Sequence, residues 1–201
     1  MNVVPTPWND RALVIRGLAE DLDAAQWFTD AEIAHPHTFR LQKRRDEWLV
    51  SRAALKKFVV DRGLCDDPKR CTFDRPHVVI DGERTRWLAS VSHSSGFVGA
   101  ALARTPIGID VQVVRGVSES AAHLFLTEVE TAQMQRCTLA DRLIHFWCAK
   151  EAAWKQRSNE FLTLRQVPLT LVEMRSEGLL FDSVETVRIG EMVVAVTRPP
   201  L

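Results

Sequence analysis

The chain reads as two similar α/β halves, each with one long helix set against a sheet. Three observations predict this. Two helical stretches echo one another: Trp48–Lys56 aligns without gaps to Trp147–Lys155, and Trp, both Ala and the final Lys coincide, four of nine positions. The offset, 147 − 48 = 99, is about half of the 201 residues. Each helix is then followed by β-branched or alternating runs that read as strands. Pro106, within Ala103–Ile107, marks the expected boundary, giving halves at 1–105 and 106–201.

The elements follow in order. Ala12–Ile15 is a short apolar strand, and the polar stretch around Asp30–Ile33 ends at Pro36. From Phe39 to Arg62 the apolar positions Trp48, Leu49, Leu55, Phe58 and Val59 recur at helical spacing, and Gly63 is a natural stop. Arg45, Arg52 and Lys56 stand seven and four apart, so they share one face: a solvated basic face or an anion cradle. Residues 71–104 read as β. Val78–Ile80 precedes the turn Asp81-Gly82, Trp87–Val91 runs into Ser92-His-Ser-Ser-Gly96, and Phe97–Ala103 leaves as a buried strand.

In the second half Ile107–Val113 alternates, with Gly108, Asp110 and Gln112 on one side. Gly108 leaves room for a ligand or for packing, and an Asp beside a Gly inside a strand is a local conflict that points to function. Ser118–Leu126 is a short helix. Thr127 with Glu130 fits a capping box, which opens another. The helix of Glu151 enters near Leu139, and Val167–Met174, Leu179–Phe181 and Met192–Val196 are strands. The tail 198–201 is expected to be loose.

Lys plus Arg and Asp plus Glu both number 26, so no net-charge argument for nucleic acid applies. Four Cys without a C-x-x-C pair fit a reduced cytoplasmic protein. The N-terminus lacks the pattern of a signal peptide and no apolar run approaches membrane-spanning length. A cytoplasmic protein away from membranes is expected.

The chemistry gathers around Phe146–Lys155. On a helix Glu151 and Lys155 lie one turn apart on one face, above Trp147. Alone this is a surface ion pair beside a core Trp. With the Asp110 strand, the Ser92-His93 turn and the basic helix, it becomes a phosphate site with carboxylates for a divalent metal. Opposite Glu151 in the echo stands Arg52, so one half offers a cation where the other offers a carboxylate. A cleft between the halves would suit a phosphate-rich ligand.

These residues resemble the 4′-phosphopantetheinyl transferases of the surfactin (Sfp) type, in the branch with Trp-x-x-Lys-Glu-Ala. The matching elements stand in family order: Arg45-Asp-Glu-Trp-Leu-Val-Ser-Arg52, Ser92-His-Ser94, Gly108-Ile-Asp110, and Trp147-Cys-Ala-Lys-Glu-Ala-Ala-Trp-Lys155. The resemblance implies an α+β fold of two subdomains in pseudo-twofold arrangement, each a long helix on a mainly antiparallel sheet. It implies transfer of the phosphopantetheine arm of coenzyme A to a serine of an apo acyl or peptidyl carrier protein, by a monomer. Mg²⁺, with Mn²⁺ as the alternative, would be held by Asp110 and Glu151. Lys155 would contact the phosphates, with Glu130 or Glu151 as acid–base groups. Arg45, Arg52, Arg75, Ser92 and His93 would bind coenzyme A. Many relatives carry Glu where this chain has Gln112, whose amide brings no charge to a metal. The segment 156–161 also lacks the glycines often found there. A non-catalytic relative that binds coenzyme A or a carrier protein, and a Mg²⁺-dependent nucleotide hydrolase, are the alternatives.

Overall fold

The computed structural model describes residues 1–17, 19–157 and 160–199. Ser158, Asn159, Pro200 and Leu201 lie outside the described residues, so the readings of segment 156–161 and of the tail are addressed only in part. The chain divides into two units, Met1–Thr105 and Pro106–Leu201.

The first unit runs β1 (Asn2–Val4), β2 (Ala12–Arg16), the short helices α1 (Ala24–Trp27) and α2 (Asp30–Ala34), the long α3 (Gln42–Asp61), then β3 (Cys71–Asp74), β4 (His77–Ile80), β5 (Glu83–Ser94) and β6 (Phe97–Ala103). The strands form one antiparallel sheet ordered β1-β2-β6-β5-β4-β3. Tight hairpins link β4 to β5 and β5 to β6. Asp81-Gly82 and Ser95-Gly96 have positive φ at both central residues, the backbone twist that two-residue hairpins require. Ser92 and His93 therefore lie in β5 rather than in the turn. The apolar stripe of α3, Val50, Ala54, Leu55, Phe58 and Val59, is buried with Ile15, Val98, Ala100 and Leu102 of the sheet.

The second unit has β7 (Ile109–Val113), α4 (Glu128–Gln135), α5 (Arg142–Gln156), β8 (Leu171–Met174), β9 (Leu179–Phe181), β10 (Val184–Ile189) and β11 (Met192–Thr197). Its sheet is antiparallel in the order β7-β11-β10-β9-β8. The small residues Ala149, Ala152 and Ala153 let α5 lie close to the strands, and Phe146 meets Phe181 edge-on at 5.0 Å. Burying one such ring is worth about 1.5–3 kcal/mol. The expected helix at Ser118–Leu126 is a 3₁₀ turn over Glu119–Leu124. The strand expected from Val167 starts only at Leu171, after Pro168, which has no N–H to donate to a ladder.

One wiring recurs. β2-α3-β3-β4-β5-β6 and β7-α5-β8-β9-β10-β11 each close by pairing the last strand with the first, and in each the strand after the long helix is outermost. The two echoing helices thus occupy equivalent topological positions, as a repeated unit demands.

Candidate active site

Asp110 sits in the middle of β7 opposite the small Ala195, and Gln112 two residues on faces Val193. Ile109 and Val111 are core residues, and Asp110 itself is only 2% exposed. A carboxylate buried in a strand is costly unless it is paired. Lys155 supplies the partner: its Nζ donates to Asp110 Oδ1 at 2.7 Å and to the Ile109 carbonyl at 3.1 Å. Gln112 Nε2 approaches Asp110 Oδ2 at 3.4 Å. Cys148, fully buried on α5, donates its thiol to the Val193 carbonyl at 3.7 Å, and burial, then the charge of Asp110, push that thiol well above the ordinary range.

Glu151 lies one turn before Lys155 on α5 and is partly buried. Its carboxyl is pushed up by burial and then by the charge of Asp110, while Lys155 pulls it back. Asp110, Gln112, Glu151 and Lys155 are therefore brought together. Two neighbouring carboxylates stand against one ammonium, which pairs with Asp110, a negative excess that fits a hard divalent cation with phosphate oxygens and water as its other ligands. No three of His, Cys, Asp and Glu are grouped as a metal cage among the described residues. Gln112 presents its amide nitrogen to Asp110; half a turn of the amide would present its oxygen instead.

Gly108 owes its identity to packing. A Cβ there would lie 1.9 Å from the Ala152 carbonyl oxygen, so a backbone atom of α5 occupies the space that a ligand would have used.

Glu130 stands elsewhere. It completes the capping box of α4: Oε2 accepts from the Thr127 N–H at 2.8 Å and the Thr127 hydroxyl at 2.9 Å. Its other oxygen accepts from the buried Lys150 Nζ at 2.6 Å. Both oxygens are engaged and the residue is 4% exposed. This is poor placement for the acid–base role that the resemblance implies.

In the first unit, the Arg52 guanidinium lies 5.7 Å from the Trp48 ring centre and 5.3 Å from that of Phe73. Burial, and then the charge of Arg75, lower its pKa to about 10, against the pull of Glu32. Arg45 donates from Nε to the Phe39 carbonyl at 2.9 Å. Ser92 is buried in β5. The exposed His93 has Nδ1 3.6 Å from Glu47 Oε1. His93 and Glu47 border a cavity of about 340 Å³, together with Lys43, Asp46, Ser94 and Gly96. Lys56 corrects the expected basic face: it is fully buried, pairing with Glu32 at 2.8 Å and the Pro68 carbonyl at 3.0 Å. Its partners belong to α2 and to the segment after α3, which cover the part of the helix face where Lys56 stands.

Lys150, Glu32 and Cys148 were passed over by sequence reasoning. Thr29-Asp-Ala-Glu32 carried a signal, since it has the capping-box spacing recognised at Thr127–Glu130.

Residues 106–180 match the family model of the 4′-phosphopantetheinyl transferase superfamily (ACPS). Asp110, Gln112, Glu130, Glu151 and Lys155 all fall within the matched segment. The match supports this superfamily, and with it phosphopantetheine transfer in general, without distinguishing its branches. No curated protein matches the chain. No helix among the described residues is long and apolar enough to cross a membrane.

Proposed function

We propose that the protein is a Sfp-type 4′-phosphopantetheinyl transferase, moving the arm of coenzyme A to a serine hydroxyl of an apo acyl or peptidyl carrier protein and releasing adenosine 3′,5′-bisphosphate. The observation that carries this reading is the convergence of Asp110, Gln112, Glu151 and Lys155 inside the segment matched by the superfamily model.

Asp110 and Glu151 would hold Mg²⁺ or Mn²⁺, with Gln112 as a neutral third donor. The ion would supply positive charge to the pyrophosphate and its leaving oxygen. Lys155, with two of its three N–H bonds directed at Asp110 and Ile109, keeps a third for a phosphate oxygen and can give a proton to the departing phosphate. With both oxygens of Glu130 engaged, Glu151 is the carboxylate we assign to take the serine proton. Arg45, Arg52, Arg75, Ser92 and His93 are assigned to the phosphates of coenzyme A, Arg52 and Arg75 as the pair that an anion would relieve. Positioning and charge stabilisation carry the reaction, as in phosphoryl transfer generally. The protein acts as a cytoplasmic monomer in this reading.

Incubation with apo carrier protein, coenzyme A and Mg²⁺, followed by weighing the carrier, tests it. A mass gain of one phosphopantetheine is expected, and Asp110→Ala or Glu151→Ala should each abolish the gain while the protein stays folded. The neutral Gln112 favours a second reading, a coenzyme A-binding relative that does not transfer. Binding without mass gain on several carriers would establish it. Cleavage of coenzyme A without carrier would point to a hydrolase.

A further inference from the structure

Each unit carries on its long helix one lysine with no exposed side chain, and the two are held alike. Lys150 Nζ donates to Glu130 Oε1 and to the Val167 carbonyl. Lys56 Nζ donates to Glu32 Oε2 and to the Pro68 carbonyl. Each glutamate is the third residue of a short helix and closes a capping box with a threonine, Thr29 or Thr127. Each carbonyl belongs to the segment that follows the long helix. One ammonium thus ties together the short helix, the long helix and the returning chain.

The glutamates lie 130 − 32 = 98 residues apart and the carbonyls 167 − 68 = 99, but the lysines only 150 − 56 = 94. The lysine has moved along its helix while its partners kept their places. The gap-free echo therefore pairs Lys56 with the wrong residue, Lys155. The first unit serves as an internal comparison, because Glu32 lies outside the segment matched by the superfamily model and is assigned no part in the transfer. An arrangement that recurs without the chemistry is a device of construction.

We propose that Glu130 and Lys150 are positioning residues, a second copy of the Glu32–Lys56 clamp, which fixes the rotation of α5 and so holds Glu151 toward Asp110. Adjacent residues on a helix point about 100° apart, so pinning Lys150 sets the direction of Glu151. The consequence for turnover rests on the transferase reading; the clamp itself does not.

The test uses the full chain with Glu130→Gln, Lys150→Met and the double variant, alongside Glu32→Gln, Lys56→Met and their double. Removing one partner strands a buried charge or a buried hydrogen-bonding group, whereas removing both strands neither charge. Each single variant should lower the unfolding midpoint by about 10 °C, and each double should regain most of that loss. In the transfer assay Glu130→Gln should need more Mg²⁺ for half-maximal rate. The Glu130→Gln/Lys150→Met double should return to within roughly tenfold of the wild-type rate. That rescue is the decisive readout, because the double still lacks the carboxylate. A double that is stable yet no faster than Glu130→Gln would overturn the proposal and make Glu130 a reacting group. Should the single variants not fold, the doubles decide alone, and a double that fails to fold also overturns it. Should the wild type transfer nothing to any carrier, the transferase reading falls while the midpoints still judge the clamp. Additive losses in either unit would then refute it.

Discussion

Replacing Gly108 by Ala places a methyl group where α5 already is. The new Cβ would lie 1.9 Å from the Ala152 carbonyl oxygen, 2.8 Å from its carbon and 2.9 Å from the Gln156 nitrogen, against 3.4 Å or more for an ordinary contact. All three are backbone atoms, so no side chain can swing aside, and the helix must retreat by roughly 3.4 − 1.9 = 1.5 Å. Gly108 is also tied to β11 through its N–H to Thr197 Oγ1 at 2.9 Å and its carbonyl from the Thr197 N–H at 3.0 Å, which keeps the strand from yielding instead. Overpacking of this kind costs about 3 kcal/mol or more. In a unit of about 100 residues that lowers the unfolding midpoint by about 12 °C or more. The same retreat moves Lys155 and Glu151 from Asp110, and an error of about 1 Å costs roughly a hundredfold in rate. Circular dichroism on heating, with the carrier assay run below the transition, reads both effects. Gly116→Ala is the control, since nothing lies within 4 Å of its Cβ position, and should stay within about 0.5 kcal/mol of wild type. A Gly108→Ala protein melting within about 2 °C of wild type would refute the packing argument.

Two further outcomes are expected. Gln112→Glu adds a charge beside Asp110, so Mg²⁺ affinity should stay level or rise, measured by titration; a large loss would show that position 112 does not face the ion. Acid should destabilise the second unit through His145, which is fully buried with Nδ1 2.8 Å from Thr186 Oγ1 and Nε2 3.5 Å from Asp141 Oδ1. Burial pushes its imidazole from 6.5 down to about 4, against the pull of Asp141. The unfolded chain therefore takes the proton first on acidification. This contribution is complete above pH 6.5 and is lost as pH falls toward 4, roughly 3 kcal/mol in all. His145→Gln should flatten that limb of a stability–pH curve, and an unchanged slope would exclude His145 as its source.

Most long elements were legible because their signals are local. The stripe Leu55, Phe58 and Val59 announces a helix, and Asp81-Gly82 announces a hairpin, within a few residues. Val184–Ile189 was missed although Val184, Thr186 and Ile189 are more buried than Arg188 between them; its charged residues disguised a sheet position that β9 and β11 enforce from both sides. β1 escaped for want of length. Lys56 was misjudged because a charged residue is by default placed outside, and only the fold shows Glu32 waiting for it. Gly108 was ambiguous because its neighbour Ala152 is 44 residues away (152 − 108). Of the site, the nearness of Asp110, Glu151 and Lys155 followed from ordered motifs. The engagement of Glu130 by Lys150 did not, because a capping box alone leaves one carboxylate oxygen unassigned.

The recurrent lysine clamp separates how each long helix is mounted from what it displays. Lys56 and Lys150 are wholly interior, whereas Arg52 and Glu151 on the same two helices are only partly buried. The anchor adjoins the displayed side chain in each case, Lys56 one turn after Arg52 and Lys150 directly before Glu151, so the displayed residue can differ while the mount is kept. One mount has come to carry a guanidinium and the other a carboxylate, so opposite halves of an anion-plus-cation chemistry hang on a single structural plan. Variation in what such a protein handles should accordingly accumulate at the displayed positions and spare the lysine, the capping glutamate and the carbonyl behind them.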